Sequence, residues 1–240
     1  MTDPLEPAPT DRPWSGEGRE ELAAALRRLM ALTVTSMAPA HEVGTAAAQV
    51  ASIAEQLEAY VPEPGASPVS RFADRPRPPE GATGLAAAMP FDMVIGSCNP
   101  VAPPIGIEFE PPCAIGRVTF TPTYEGAPGC VHGAVLAGAF DMMLTAANVM
   151  AGAAGPTVRL GLRYRKPTLV GVPARFEAWV TSTSGRRTHS EGRLVQDDVV
   201  TVEATGEFVA MGRVDVHRMH RRDGASGTDG ARADEGGDTA

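Results

Sequence analysis

The sequence predicts an α+β fold in which a long apolar helix covers one face of an antiparallel sheet of six strands. Three features predict it. Gly133 to Gly155 is a long run nearly free of charge and interrupted by a single acid, Asp141. Short alternating segments stand on both sides of this run, two before it and four after. Two helical patterns near the start are set apart from the rest by a proline-dense stretch.

Composition narrows the function classes. A formal net charge of -8 over 240 residues gives little electrostatic support to phosphate-driven nucleic-acid binding, so no nucleic-acid partner is expected. Three cysteines, Cys98, Cys113 and Cys130, are too few and too irregularly spaced for a disulfide framework or a zinc cluster. The opening residues, MTDPLEPAPTDRPW, lack the basic and apolar regions of a secretory signal, so a cytoplasmic location is expected. Gly133 to Gly155 has the length of a membrane span. It is, however, built of Ala and Gly rather than Leu and Ile, and its central Asp would cost roughly 2.5 to 3.5 kcal/mol in a bilayer. A buried helix with no membrane partner is the expectation.

Residues 1–16 read as a disordered lead. From Glu20, EELAAALRRLMALTVTS sets Leu22, Leu26 and Leu29 at helical spacing, with acids early and Arg27 and Arg28 later, as the helix dipole favours. HEVGTAAAQVASIAEQLEAYV carries a second stripe of Val43, Ala47, Val50, Ile53, Leu57 and Tyr60. Two such helices cannot bury their stripes alone and should pack on each other, on the main domain or on a second subunit. Residues 1–61 thus form an extension, 62–85 a proline-rich linker, 86–215 the main domain and 216–240 a disordered tail mixing Gly and charge.

Strands are predicted at IGIEFE (105–110) and AIGRVTFTP (114–122) before the helix. After it come TVRLGLRYRKP, ARFEAWVTSTS, RTHSEGRLVQD and VVTVEATGEFVAM, expected as a four-stranded meander. Val158, Leu160, Leu162 and Tyr164 should share one face, as should Val200, Val202, Ala204, Gly206 and Phe208. TSGRR and QDDV are hairpin-turn signals.

The chemistry concentrates at the apolar helix. EGAPG shapes a tight loop that delivers the chain to a helix starting near His132 or Gly133. From there to Met150 only Asp141, Thr145 and Asn148 carry strong hydrogen-bonding groups, and Ala134, Ala137 and Gly138 precede Asp141 on its face. A carboxylate in such a helix must be paired, lie in a cleft or titrate abnormally. Two readings stand: Asp141 fixes packing through a neighbouring strand or Asn148, or it performs chemistry. The backbone N–H groups of Gly133 and Ala134, unpaired at the first turn, can hold negative charge developing on a carbonyl oxygen. Cys130 and His132 are adjacent in sequence, which does not make a nucleophilic dyad; packing suits Cys130, and orienting the loop suits His132.

The segment YEGAPGCVHGAVLAGAFD, followed by TVRLGLRYRKPTLVG, GRRTHSEGRLVQDD and TVEATGEFV, resembles the hotdog-fold acyl-CoA thioesterases, particularly their phenylacetate-pathway-like branch, over about Cys98 to Met211. The resemblance implies a six-stranded antiparallel sheet wrapped around the long helix, in a homodimer or dimer of dimers with active sites at the subunit junction. It further implies hydrolysis of an acyl-CoA thioester without metal or redox cofactor. Asp141 then matches the helix acid acting as general base or nucleophile, and Gly133 the glycine whose N–H polarises the carbonyl. Thr157 matches a residue that positions water; as a bare sequence feature it is equally a β-branched strand opener. His132, Ala134 and Gly138 are the candidate substrate-binding residues. The family's second glycine is Ala134 here, whose Cβ faces the acyl group's approach. For the phosphates of coenzyme A, Arg159, Arg163, Arg165, Lys166, Arg186 and Arg187 are available as a group. A hotdog hydratase would need an Asp and His pair at a spacing this sequence lacks, and a non-catalytic acyl-CoA-binding or assembly protein is the alternative of a different class.

Overall fold

The computed structural model describes residues 18–61, 82–103 and 105–210. These all belong to one compact unit, Met1–Ala210; the second, Met211–Ala240, lies outside the described residues. The expected lead, all but the end of the expected linker, and the expected tail also fall outside the described residues. In chain order the elements are α1 (Arg19–Thr35), α2 (Ala40–Glu58), α3 (Ala82–Ala88), β1 (Gly106–Glu110), β2 (Cys113–Thr119), a 3-10 turn (Pro122–Tyr124), α4 (Gly133–Met150), β3 (Thr157–Tyr164), β4 (Pro173–Ser184), β5 (Arg187–Gln196) and β6 (Val199–Val209).

All six strands form one antiparallel sheet, in the order β1-β2-β4-β5-β6-β3. The expected four-stranded meander is therefore only β4-β5-β6. β2 already occupies the free side of β4, so β3 pairs with β6 at the opposite edge. Both expected hairpin turns form. Asp197 and Asp198, at φ 47° and 60°, make the tight β5–β6 turn in the left-handed region that acidic residues tolerate, and Gly185, at φ 58°, starts the β4–β5 turn.

The core lies between the sheet and α4. Leu136, Phe140, Met143, Leu144 and Ala147 meet Ala114 and Val118 of β2, Phe176 and Ala178 of β4, Leu194 of β5, and Val202, Ala204 and Phe208 of β6, all buried. Phe140 and Phe176 pack edge to face with ring centroids 5.0 Å apart. Glycines let the helix sit close to the strands. A Cβ at Gly116 would lie 2.6 Å from Met143 Sδ, and one at Gly206 would lie 2.9 Å from Leu144 Cδ1. α4 is the described helix long and apolar enough to cross a membrane, yet half of it is buried inside the fold.

The sheet's other face is charged. Glu177 of β4 is only 6% exposed, because Arg175 pairs with one carboxylate oxygen and Arg193 donates to the other at 2.6 Å. Arg165 bonds Glu203 at 2.9 Å, and Arg159 faces Glu207 at 3.8 Å.

The N-terminal helices differ from one another. α1 turns Ala23, Leu26, Arg27 and Met30 towards the body, and Leu22, expected in its apolar stripe, is exposed. Leu26 and Leu29 of the same stripe are half-buried, so the docked part of the stripe lies further along the helix, where the Arg27 guanidinium donates to the carbonyls of Ser97 and Asn99 at 3.3 and 2.9 Å. Ser97 also donates to Glu20 at 2.7 Å. α2 has no buried residue, and its stripe of Val43, Val50, Ile53, Leu57 and Tyr60 is exposed.

Gly192 tests the close fit of sheet and helix. A Cβ there would lie 2.9 Å from the Glu177 carbonyl oxygen and 3.4 Å from Leu144 and Phe140. The oxygen belongs to the β4 backbone and cannot yield without disturbing the β4–β5 ladder. Gly192→Ala should therefore destabilise the fold by about 1 to 3 kcal/mol, read as a lower urea midpoint at unchanged slope.

Candidate active site

The loop before α4 is held by its own backbone. Gly126 N–H donates to Cys130 O at 2.9 Å, Cys130 N–H to Ala127 O at 2.8 Å, and Gly129 N–H to the Glu125 carboxylate at 2.6 Å. Gly129 stands at φ 74°, where a side chain would be strained. His132 N–H then donates to Tyr124 O at 2.8 Å, which fixes the point where the helix begins.

His132 caps that helix. Its Nδ1 accepts the Ala134 N–H at 3.0 Å, so the ring proton sits on Nε2. An imidazole here does the work usually given to Ser, Thr, Asp or Asn. One of the two amides expected to face a carbonyl oxygen is thereby occupied. The Gly133 N–H has no acceptor among the described residues. On the same residue, the Gly133 carbonyl accepts the Tyr164 hydroxyl at 2.9 Å. Sequence reasoning missed this contact, since it links the end of β3 to a helix start 31 residues earlier. Cys130 Sγ lies 3.5 Å from Pro128 O and has no base paired with it among the described residues.

Asp141 is half-buried, and Thr157 donates its hydroxyl to Asp141 Oδ1 at 2.6 Å. A register shift between Thr157 and Arg159 lies at the start of β3. Such a bulge re-aims side chains. Thr157 turns to the helix while Val158 is left 58% exposed, outside the face expected to hold it with Leu160 and Leu162. Tyr164, the last of that expected face, is 53% exposed and reaches over to Gly133 instead of the core.

Along α4, the strip Ala134, Ala137, Gly138, Asp141 and Thr145 is exposed or half-buried, whereas Leu136, Ala139, Phe140, Met143 and Leu144 are fully covered. Asn148, expected to continue this strip, is instead fully buried. Its Oδ1 accepts the Ser190 hydroxyl of β5 at 2.5 Å, and its Nδ2 has no partner among the described residues. Beside Gly138 stands Val94, from the segment between α3 and β1; its Cγ2 lies 3.7 Å from where a Gly138 Cβ would be. A mid-helix glycine costs roughly 0.5 to 1 kcal/mol relative to alanine. A cleft at the start of α4 is lined by Cys130, Gly133, Tyr164, Arg165 and Lys166. Among the described residues no cluster of His, Cys, Asp and Glu could hold a metal ion.

A solved structure of a thioesterase superfamily protein is 31% identical to this chain, with 81% of this chain and 96% of that one covered at a TM-score of 0.65. The chain belongs to the thioesterase superfamily. The family model described as thioesterase superfamily matches residues 128–203, which run from the loop before α4 into β6. The sheet around α4 is accordingly the hotdog fold of this superfamily. Two other solved structures resemble the chain. One is the E. coli PaaI protein from the phenylacetic acid degradation operon, at 17% identity, with 44% of this chain and 82% of that chain covered and a TM-score of 0.42. The other is zebra fish thioesterase superfamily member 2, at 14% identity, with 55% and 100% covered and a TM-score of 0.48. Comparison with curated protein sequences finds no match.

In this superfamily member the cap should be separable from the chemistry. His132→Ala removes the acceptor of the Ala134 N–H and should cost about 0.5 to 2 kcal/mol of stability, whereas His132→Asn should retain most of it. Thermal midpoints of the two variants measure the difference.

Proposed function

We propose that this thioesterase superfamily protein hydrolyses an acyl-CoA thioester to a carboxylic acid and free CoA. The observation that carries the reading is the Asp141–Thr157 pair, a carboxylate and a hydroxyl 2.6 Å apart on the strip of α4 that the sheet leaves uncovered. Thr157 occupies one oxygen of Asp141 and leaves the other for a water molecule. Asp141 takes a proton from that water as the oxygen attacks the carbonyl carbon. The C–S bond then breaks, the acid is released, and the leaving thiolate takes up the proton held by Asp141, which regenerates the carboxylate. The Thr157 oxygen, with lone pairs to spare, orients the water.

The carbonyl oxygen needs a donor, and the free amide at the helix start suits it. In one chain that amide is out of reach. Gly133 and Asp141 are eight residues apart, and at a rise of about 1.5 Å per residue the helix separates them by ~12 Å. One thioester spans a hydrogen bond to a donor on one side and to a base on the other, roughly half that distance. The amide of Gly133 therefore serves the Asp141 of a second copy, which makes a homodimer the working unit. Arg165 and Lys166 line the cleft beside Gly133, which supports a phosphate-binding role there, with Arg165 already held by Glu203.

A second reading is binding without turnover. It is favoured by the Ala134 N–H being occupied by His132, which leaves one amide for the oxyanion. Calorimetric binding of acyl-CoA without thiol release would select it.

Two experiments test hydrolysis across paired copies. Asp141→Asn should keep the fold and lose at least about a hundredfold in kcat, the lower range for removing a general base; unchanged thiol release across an acyl-CoA panel sinks the assignment. Gly133→Pro removes the donor N–H at the first helical position, which tolerates proline, after a residue already extended at ψ 133°. Each variant alone should be inactive. Mixed one to one and allowed to exchange, half of the dimers pair the two variants, and each holds one intact site, so about a quarter of wild-type activity should return. Sites confined to single chains would return none.

A further inference from the structure

We infer that Val94, standing against Gly138, forms the wall on which the acyl group lies and sets the size of acyl group accepted; this rests on Asp141 being the reacting carboxylate. Every Cα–Cβ bond of an α-helix leans towards its N-terminus, so the Asp141 side chain leans over Gly138, one turn earlier on the same face. A group bonded to a carbonyl beside Asp141 therefore passes this glycine.

No described residue requires glycine there. A methyl at Gly138 would meet a single atom within 4 Å, Val94 Cγ2, at 3.7 Å, which is ordinary contact. The sheet glycines under α4 differ, since a Cβ at Gly116, Gly192 or Gly206 would run into neighbours at 2.9 Å or less. The described residues thus leave the space at Gly138 open, at a cost in helix propensity, and an acyl group would fill it.

Val94 is fit to be a wall. It is 6% exposed and sits in a turn braced from several sides. Asp92 Oδ1 accepts the N–H groups of Val94 and Ile95 at 2.8 and 2.9 Å, Gly96 N–H donates to Asp92 O at 3.0 Å, and Cys98 N–H donates to Pro90 O at 2.8 Å. Gly96 is obligatory in this turn, because a Cβ would lie 2.4 Å from Asp92 O. Arg27 then ties the turn to α1 through the Ser97 and Asn99 carbonyls. Val94, Ala137 and Gly138 present no polar side-chain atom. The amides of pantetheine would find no partner on such a surface, whereas a hydrocarbon acyl group asks only for burial.

The test uses the full chain in the Asp141→Asn background, where the thioester survives. Acetyl-, hexanoyl- and benzoyl-CoA are titrated calorimetrically into that protein and into the same protein carrying Gly138→Ala or Val94→Ala. Turnover of the same substrates is followed with Asp141 intact. A methyl-sized change in an apolar pocket shifts selectivity by about 10-fold to 200-fold. Gly138→Ala should therefore weaken hexanoyl- and benzoyl-CoA relative to acetyl-CoA by at least about tenfold, while raising the thermal midpoint and leaving the dimer intact. Val94→Ala should move the same ratios the other way. Unchanged ratios in both variants, with the unmodified protein hydrolysing the panel, overturn the wall and leave the hydrolase reading standing. Dissociation of the dimer by Gly138→Ala also overturns it, assigning the gap to a partner helix. Failure to bind or turn over any of the three removes both readings.

Discussion

The structure depends on covering α4. Eighteen residues carry apolar side chains on nearly every face, so no orientation on a flat sheet would leave a polar side to water. The six-stranded antiparallel sheet resolves this by presenting small residues where the helix comes closest and large ones around them. Gly116, Gly192 and Gly206 let α4 approach the strands, and Phe176, Phe208 and Leu194 fill the space around them. The segment carrying Val94 and Ile95 closes a further side. What remains is a narrow strip from Ala134 to Thr145, and the candidate chemistry lies on that strip because it is the part of the helix still open to a ligand.

Asp141 and Asn148 illustrate how position along the helix decides the role of a polar group. They are seven residues apart, almost two full turns at ~3.6 residues each, so a helical wheel places them on one face. Yet Asn148 is fully buried on Ser190, whereas Asp141 is half-buried on Thr157. The sheet closes over the C-terminal end of α4 through β5 and leaves the middle open. The asparagine becomes a packing polar group, and the acid keeps one oxygen without a partner among the described residues. Periodicity sees angle around the helix axis and is blind to this difference along it.

The strands and the central helix were legible because each is written locally: alternation marks the strands, Gly185 and the Asp197–Asp198 pair mark the turns, and unbroken apolarity marks α4. Asp141 was conspicuous for the same reason, as a charge where local pattern allows none. What depends on a distant partner was not legible. The place of β3 at the β6 edge follows from β2 having taken the side of β4, and the inward turn of Thr157 follows from a register shift against Phe208 and Glu207. Val94 gave a weak local signal, an Asp two residues before a Val-Ile-Gly sequence, which is the pattern of a side-chain-stabilised turn. Its partner Gly138 lies 44 residues further on, and no spacing rule connects them.

The N-terminal extension is joined to the open strip at two points, Gly138 and the helix start, which gives α1 a physical connection to the strip. Through Arg27 it holds the turn that carries Val94 to Gly138. Through the same segment it reaches the helix start: Val101 O accepts the Tyr124 hydroxyl at 3.1 Å, and Tyr124 O accepts the His132 N–H at 2.8 Å, immediately before Gly133. Burial pushes the Tyr124 phenol above its usual range, and the Arg27 guanidinium pulls it partly back, so the phenol stays neutral and keeps donating at ordinary pH. α1 is thus a brace whose bonds end on rigid carbonyls, and α2, with no residue buried, adds nothing to it. A brace of this kind confers order on the loop before α4, and under the proposed hydrolysis that order is what would aim the one free amide at a carbonyl oxygen, with no second amide to compensate for error.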